Sequence, residues 1–223
     1  MKTYKLLGLL TALNIVFQLI SDVTAGKIID VLGYPVSITI LYFPIVYIIS
    51  DVMTEVYGYA QARRVLWITM LCSVVAGLVY QLAVYIPPSV IFGQNEAYQI
   101  VFGSVPRILV GGWIAVIVGD FLNNYVMAKM KVWSKGKFVW MRTIASTIVG
   151  QLANTSIFYL IALYAILPNN VLVISIISGW ILKTLVEVIL TPITLVVIAK
   201  VKKVEREDYF DKNTDFNPLS TKV

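Results

Sequence analysis

The chain has 223 residues, of which 59% are hydrophobic and only 13% are charged, and its formal net charge is +6. Soluble domains are usually about 45–50% apolar and about 25% charged, so this composition indicates an integral membrane protein. The basic residues lie between apolar runs and form no single patch, which excludes nucleic acid as the expected partner and leaves membrane lipid.

About 20 apolar residues span a bilayer as a helix. The sequence predicts an all-α membrane protein, a single bundle of six transmembrane helices at 6–23, 36–58, 65–86, 107–130, 143–167 and 171–200. No segment shows the alternating pattern of a membrane-spanning strand. Residues 1–200 therefore form a six-helix transmembrane domain, and residues 201–223 form a polar cytoplasmic tail that we expect to be frayed.

Lysine and arginine concentrate in the N-terminus, in the second and fourth connections and in the tail, whereas the other connections hold only Lys27 and Arg107. The positive-inside rule then places both termini in the cytoplasm. Arg63 and Arg64 are interpreted as topology anchors. The semi-apolar third connection, 88–105, is expected to lie on the membrane surface or to fold over the bundle.

Asp51 and Glu55 lie one helical turn apart within the second segment, so both side chains project from one helix face. Charge inside a membrane is costly, and such acids usually face a bundle interior or a wet cavity. An alternative is that they pair with Arg63, Arg64 or Lys183 as a structural latch.

Polar stripes run along five of the six predicted helices, including Asn14, Gln18, Ser21 and Asp22 in the first. Interhelical hydrogen bonding alone would explain any single stripe, and Lys183 and Glu187 could neutralise each other. The convergence of five stripes, with carboxylates on at least three, instead predicts a polar cavity. The candidate cavity-lining residues are Asp51, Glu55, Asp120, Asn124, Gln151, Asn154, Trp180, Lys183 and Glu187.

This inventory suits a planar base that is rich in hydrogen-bond donors. A carboxylate accepts two parallel N–H bonds from an edge such as that of guanine, and carboxamides meet carbonyl or ring nitrogen atoms. Aromatic rings stack on flat heterocycles. No histidine is present and Cys72 is the single cysteine, so we expect no metal site, no cofactor and no catalytic residues.

The sequence resembles the queuosine precursor transporter family, also called the vitamin uptake transporter family. The resemblance covers nearly the whole chain. It rests on Phe43-Pro44, on Ser50-Asp51-Val52-Met53-Thr54-Glu55-Val56-Tyr57-Gly58 with Arg63-Arg64, on Arg142-Thr143 with Ser146-Thr147 and Gly150-Gln151, and on Lys183 and Glu187 with Thr191-Pro192.

The resemblance implies a prokaryotic inner-membrane importer of 7-cyano-7-deazaguanine or 7-aminomethyl-7-deazaguanine for salvage of tRNA queuosine. It also implies a fold like the six-helix substrate-binding components of energy-coupling-factor transporters. The first helix has no Ala-x-x-x-Ala pattern for docking a partner, which favours transport by this chain alone. The alternative is a substrate-binding component that works with an energising complex.

Two positions depart from the family pattern. Asn154 stands where an acid is common, and Asp22 stands where asparagine is more usual, so either change would alter which deazapurine is preferred. An intramembrane enzyme is disfavoured because no nucleophile–base set is present, and a purely structural subunit is disfavoured by the density of polar stripes.

Overall fold

The computed structural model describes residues 4–103, 105–165 and 168–220, and within them the chain is a helical bundle with one small β-hairpin. Its helices are α1 Leu7–Thr24, α2 Phe43–Tyr57, α3 Tyr59–Tyr85, α4 Asn95–Gly103, α5 Val105–Trp133, α6 Val139–Ala162 and α7 Asn169–Glu205. The strands are β1 Ile28–Val31 and β2 Tyr34–Ser37, followed by a 3-10 turn at Ile38–Leu41.

The described helices are those of a multi-pass membrane protein, as predicted. Five stretches are long and apolar enough to cross a membrane, namely α1, α3, α5 together with α4, α6 and α7. The predicted end of the fifth segment, Leu167, lies outside the described residues. The seventh helix runs to Glu205, past the predicted end at residue 200.

The second predicted segment, 36–58, is wrong in its first third. Its first two residues belong to β2, and the helix begins only at Phe43, with Pro44 in its first turn. Proline is well placed there because the first helical N–H groups have no intrahelical acceptor. The resulting α2 has 15 residues and is about 22 Å long, shorter than a full span.

The hairpin was not predicted from the sequence. Strands β1 and β2 pair antiparallel, with Ile28 opposite Ser37 and Val31 opposite Tyr34. The two residues between them, Leu32 and Gly33, have φ of 53° and 81°. Positive φ at both positions defines the two-residue turn that matches the twist of paired strands. We call this end of the bundle the hairpin end.

Helices α5 and α6 cross closely because each presents a glycine to the other. A Cβ on Gly119 would lie 2.6 Å from the Cβ of Asn154, and a Cβ on Gly150 would lie 2.8 Å from that of Asn123. Small residues let helix backbones approach within a membrane. The crossing therefore fixes the positions of Asn123 and Asn154.

The described part of the tail, residues 201–220, is not frayed, contrary to the prediction, because it packs across the ends of α2, α3 and α5. The buried Arg63 guanidinium donates to the carbonyl oxygens of Asp215 at 2.6 Å and Asn217 at 2.8 Å. The Phe216 ring lies 4.9 Å from the Tyr59 ring and 4.1 Å from the Lys129 ammonium. Arg63 thus lies near the start of α3, not in a connection, and binds the tail.

The third connection contains α4, which rests against the end of α3. The Gln81 amide donates to the carbonyl of Phe102 at 2.9 Å, and the Phe102 ring stacks on Tyr80 with centroids 5.2 Å apart. Val90, Ile91 and Ile100 remain exposed. An exposed apolar helix of this kind suits the membrane surface, which was one of the two expected placements.

Candidate functional site

A cavity opens at the hairpin end, between α1, the β2 strand, α5, α6 and α7. Phe43, Phe158 and Tyr159 supply aromatic wall. The polar wall residues are Gln18, Ser21, Asp22, Ser37, Thr39, Asn154 and Lys183. We call it the hairpin-end cavity.

Asp22 is held in the wall of this cavity by hydrogen bonds from its own helix, α1, and from α3. The Gln18 amide donates to one of its carboxylate oxygens at 2.8 Å, and the Ser73 hydroxyl donates to the other. The Trp113 indole N–H donates to Ser73 Oγ at 2.6 Å. The chain of bonds ties α1, α3 and α5 together, so Asp22 is a fixed acceptor on the cavity wall.

A second, smaller cavity continues deeper into the bundle, and we call it the central cavity. It shares Ile40, Phe43 and Lys183 with the hairpin-end cavity. Its own polar wall consists of Tyr47, Gln151 and Glu187. The shared residues make the two cavities neighbours along one path.

Lys183 and Glu187 both line the central cavity, but they do not pair as predicted. The Lys183 ammonium lies 4.4 Å from the centroid of the Phe43 ring, a cation–π contact. No ion pair within 4.0 Å joins it to Glu187, although both side chains belong to the described part of the chain. Lys183 instead lies within electrostatic range of Asp120 on α5.

Asp51 and Glu55 lie in quite different surroundings although they share a helix face. Asp51 is fully buried and accepts one hydrogen bond at 3.1 Å, from the Asn123 amide. Asn124, next to it on α5, accepts from Ser50 at 3.0 Å and from Thr54 at 2.9 Å. These bonds join α2 to α5. Among the described residues, no cation lies within ion-pair distance of Asp51.

Glu55 is the anion at the centre of a buried cluster of charges, which we call the basic-end cluster. Arg142 donates to both carboxylate oxygens, at 2.8 and 2.7 Å, and the Lys202 ammonium lies 2.6 Å from Oε1. The Lys131 ammonium lies 3.4 Å from the same oxygen and bonds Asp208 at 2.5 Å. This is a structural latch, but with partners other than Arg63, Arg64 and Lys183.

The tail contributes two further acids to this end of the bundle. Burial acts to raise the pKa of Asp208, but bonds from Lys131 and Lys202 outweigh it and hold the pKa below its ordinary value. Burial dominates at Asp211, raising its pKa despite hydrogen bonds from Thr214 and from the Tyr59 N–H. The tail therefore adds acidic side chains to the lysine and arginine residues at this end of the bundle.

Between the cavities and the basic-end cluster, several buried polar atoms have no hydrogen-bond partner among the described residues. Buried polar groups normally have partners, so a run of unpartnered ones marks a functional region. They come from four helices, α2, α5, α6 and α7. They include Tyr47 Oη, Asp51 Oδ2, Asn123 Oδ1, Thr147 Oγ1, Gln151 Oε1 and Glu187 Oε1.

The nine predicted residues thus fall into distinct places. Asn154, Gln151, Lys183 and Glu187 line the two cavities. The remaining five lie apart from both walls. Asp51 and Asn124 are buried between α2 and α5, Asp120 is buried on α5, Glu55 lies in the basic-end cluster, and Trp180 donates to the Ile148 carbonyl at 3.1 Å in the groove between α6 and α7.

Several further residues of the cavity walls and of the Asp51 contact were not selected from the sequence. Asp22 and Gln18 belong to a predicted polar stripe, whose signal was present but shared with many interhelical bonds. Ser37 and Thr39 come from the unpredicted hairpin and 3-10 turn. Asn123 was recognised only as part of a stripe, because nothing in the sequence shows that it, and not Asn124, contacts Asp51.

Comparison with known proteins gives consistent matches. Residues 37–197 match the family described as "Putative vitamin uptake transporter". A "Probable queuosine precursor transporter" of Bacillus subtilis is 27% identical over 167 residues, which are 74% of this chain and 73% of that protein. The "Queuosine precursor transporter" of Escherichia coli is 22% identical over 161 residues, 72% of this chain and 70% of that protein.

No solved structure matches the chain significantly. The expected likeness to substrate-binding components of energy-coupling-factor transporters therefore stays a prediction. The all-α membrane fold and the family resemblance are confirmed.

Proposed function

The chain belongs to the vitamin uptake transporter family, and we propose that it imports queuosine precursors, 7-cyano-7-deazaguanine or 7-aminomethyl-7-deazaguanine, for tRNA queuosine salvage. The observation that carries the proposal is the pair of adjoining cavities inside a bundle whose relatives are named for this transport. A membrane protein with an enclosed polar path and aromatic walls is suited to moving a flat polar solute.

The wall chemistry supports a deazaguanine as the solute. The base would lie in the hairpin-end cavity, where Phe43 and Phe158 offer faces for stacking. Its donor-rich edge would be directed toward the central cavity, where Gln151 Oε1 and Glu187 Oε1 are buried acceptors without a partner. Asn154 replaces the acid that the family often has, so Glu187 is the carboxylate that we assign to this edge.

We place the chain in a prokaryotic inner membrane with both termini in the cytoplasm. The residues near Tyr4 and the tail lie at the same end of the bundle, since Glu205 accepts from the N–H groups of Lys5 and Leu6 at 3.0 and 2.6 Å. The basic-end cluster lies there too, as the positive-inside rule requires of the cytoplasmic side. The hairpin-end cavity would then face the exterior.

Complementation tests the proposal in cells that cannot make 7-cyano-7-deazaguanine and lack their own importer. Each base is supplied in the medium, and queuosine in tRNA is measured. The chain should restore queuosine, and Glu187→Gln should reduce it strongly at equal membrane abundance. Asp30→Asn, on the exposed β1 strand, is the matched control. No restoration by the wild-type chain at normal abundance would overturn the proposal.

Uptake by the purified chain in liposomes separates this function from the alternative. A self-contained importer accumulates or equilibrates the base in vesicles that contain no other protein. A substrate-binding component binds the base but moves it only when an energising complex is present. The absence of an Ala-x-x-x-Ala pattern in the first helix supports the first outcome.

A further inference from the structure

The contact between Asp51 and Asn123 lacks one proton donor. Asn123 Nδ2 donates to Asp51 Oδ1 at 3.1 Å, while Asp51 Oδ2 and Asn123 Oδ1 are both buried and both without a partner. Neither residue has any exposed surface. The two unpartnered atoms belong to the two groups that already share a hydrogen bond, and both are acceptors when Asp51 is ionised.

A proton on Asp51 Oδ2 supplies the missing donor. The carboxylic acid then donates to Asn123 Oδ1 while Asn123 Nδ2 donates to Asp51 Oδ1, so one proton satisfies both atoms. An ionised Asp51 instead leaves two buried oxygen acceptors, Asp51 Oδ2 and Asn123 Oδ1, without a donor among the described residues. An unpartnered buried group carries its full desolvation cost, and the cost is larger for a charged group.

The surrounding charges add to this preference. The acids Glu187 on α7, Asp120 on α5 and Glu55 on α2 itself lie within electrostatic range of Asp51. The nearby cations interact with other groups. Lys183 contacts Phe43 and lies within electrostatic range of Asp120. Arg142, Lys131 and Lys202 pair with Glu55. On α1 and α3, Asp22 is bonded to Gln18 and Ser73, and Arg63 is bonded to the tail.

We propose that the Asp51–Asn123 contact is a proton-binding site and that the chain is a proton–solute symporter. The proposal rests on the function proposed above. The proton binds Asp51 Oδ2 and leaves from the same oxygen, and no bond other than that O–H bond forms or breaks. Acidic side chains within membrane spans commonly serve as such relays.

The position of Glu187 explains why proton and solute would bind together. Two neighbouring buried acids resist being ionised at the same time. With Asp51 protonated, Glu187 can keep the negative charge that the donor edge of the base requires. The proton therefore strengthens solute binding, and by linkage the solute strengthens proton binding by the same factor.

Liposomes holding the purified full-length chain test the coupling directly. The uncharged 7-cyano-7-deazaguanine is the solute, and the membrane potential is clamped at zero. A pH gradient of one unit, alkaline inside, should concentrate the base up to about tenfold for one proton per solute, because one pH unit is a tenfold difference in proton activity. A sodium gradient at equal pH on both sides should concentrate it no further than equilibration.

The Asp51→Asn variant is the matched probe, because its amide reproduces the hydrogen bonds of the protonated acid. It should fold as the wild type does and should exchange the base across the membrane. It should nevertheless lose the tenfold concentration and the pH dependence of base affinity. Asp30→Asn makes the same chemical change on the exposed β1 strand and should retain both.

The infrared carbonyl band of a protonated carboxylic acid gives a reading that needs no solute. The wild-type band at neutral pH should lose intensity in Asp51→Asn, and this loss supports the proposal even if the variant transports poorly. Retention of the full band in Asp51→Asn with its loss in Glu187→Gln overturns the assignment.

Uptake that is intact but does not depend on the pH gradient, or that is driven by sodium, overturns the symport while the proposed function stands. No uptake of the base by the wild-type chain under any gradient refutes the proposed function itself.

Discussion

Replacing Glu55 by glutamine should destabilise the protein more than any exposed change of the same kind. Glu55 has no exposed surface, and Arg142 and Lys131 are each only 1% exposed. The variant keeps the shape of the side chain but removes the negative charge that three cations share. Removing one partner of a buried ion pair typically costs about 3–5 kcal/mol, because the remaining charge is left without compensation.

The contacts that remain to Lys131 and Arg142 decide where in that range the loss of unfolding free energy should fall. Lys131 keeps Asp208 at 2.5 Å and the Glu55 backbone carbonyl at 2.5 Å, so it retains two acceptors after the change. Arg142 keeps the Lys137 carbonyl at 2.7 Å, but of its two bonds to the carboxylate at most one can remain, to the neutral amide oxygen of glutamine. Arg142 therefore carries most of the loss, and we expect roughly 3–4 kcal/mol.

Thermal or denaturant unfolding in detergent micelles, followed by tryptophan fluorescence, measures this difference. Glu96→Gln on the exposed α4 helix is the control and should stay within about 0.5 kcal/mol of the wild type. The double change of Glu55→Leu with Arg142→Leu should recover much of the lost stability, since Arg142 is removed and Lys131 and Lys202 keep Asp208 as an acid partner. A Glu55→Gln variant as stable as the Glu96→Gln control would refute the latch.

Three further predictions concern the basic end, a turn and the topology. Asp208→Asn should lower the free energy of unfolding at pH 7, and this loss should disappear as the pH falls through the depressed pKa of Asp208. Asp211→Asn removes a carboxylate with a raised pKa, so it should leave the free energy of unfolding unchanged or increase it at pH 7, and the difference from the wild type should vanish as the pH falls. Unfolding measured across pH 3–8 tests both changes. Gly58→Ala should cost more than roughly 1–3 kcal/mol, since φ is +87° and the new Cβ would lie 2.3 Å from Tyr209 Cδ1, and equal stability of the two proteins would contradict this. Single cysteines placed at 169 and 135, in a chain without Cys72, should label from opposite sides of the membrane, and labelling from one side would contradict the six-crossing topology.

The features that sequence reasoning recovered are those fixed by local pattern. Hydrophobic length predicts the helices, and residue spacing places Asp51 and Glu55 on one face. The hairpin was not predicted because its strands have four residues each and its apolar sequence continues into α2. A run of apolar residues does not distinguish a short strand from the start of a helix.

The packing of the tail against the bundle was not predicted for a different reason. Its attachment depends on backbone carbonyl oxygens of Asp215 and Asn217, which every residue possesses, and on the Arg63 side chain more than 150 positions earlier. Composition makes such a segment look frayed because polar residues dominate it. Only the fold brings the arginine and the carbonyl groups together.

The same limit separates Asp51 from Glu55, and it bears on what each acid can do. Spacing gives the direction of both side chains but not what the other helices supply at each level of the bundle. At Glu55 they supply Arg142 and Lys202, so the charge is fixed and closes the basic end. At Asp51 they supply an amide and a second acid, so no cation holds the charge in place. An acid without a counterion is the one whose charge can change during transport, and this assigns the two neighbours opposite roles.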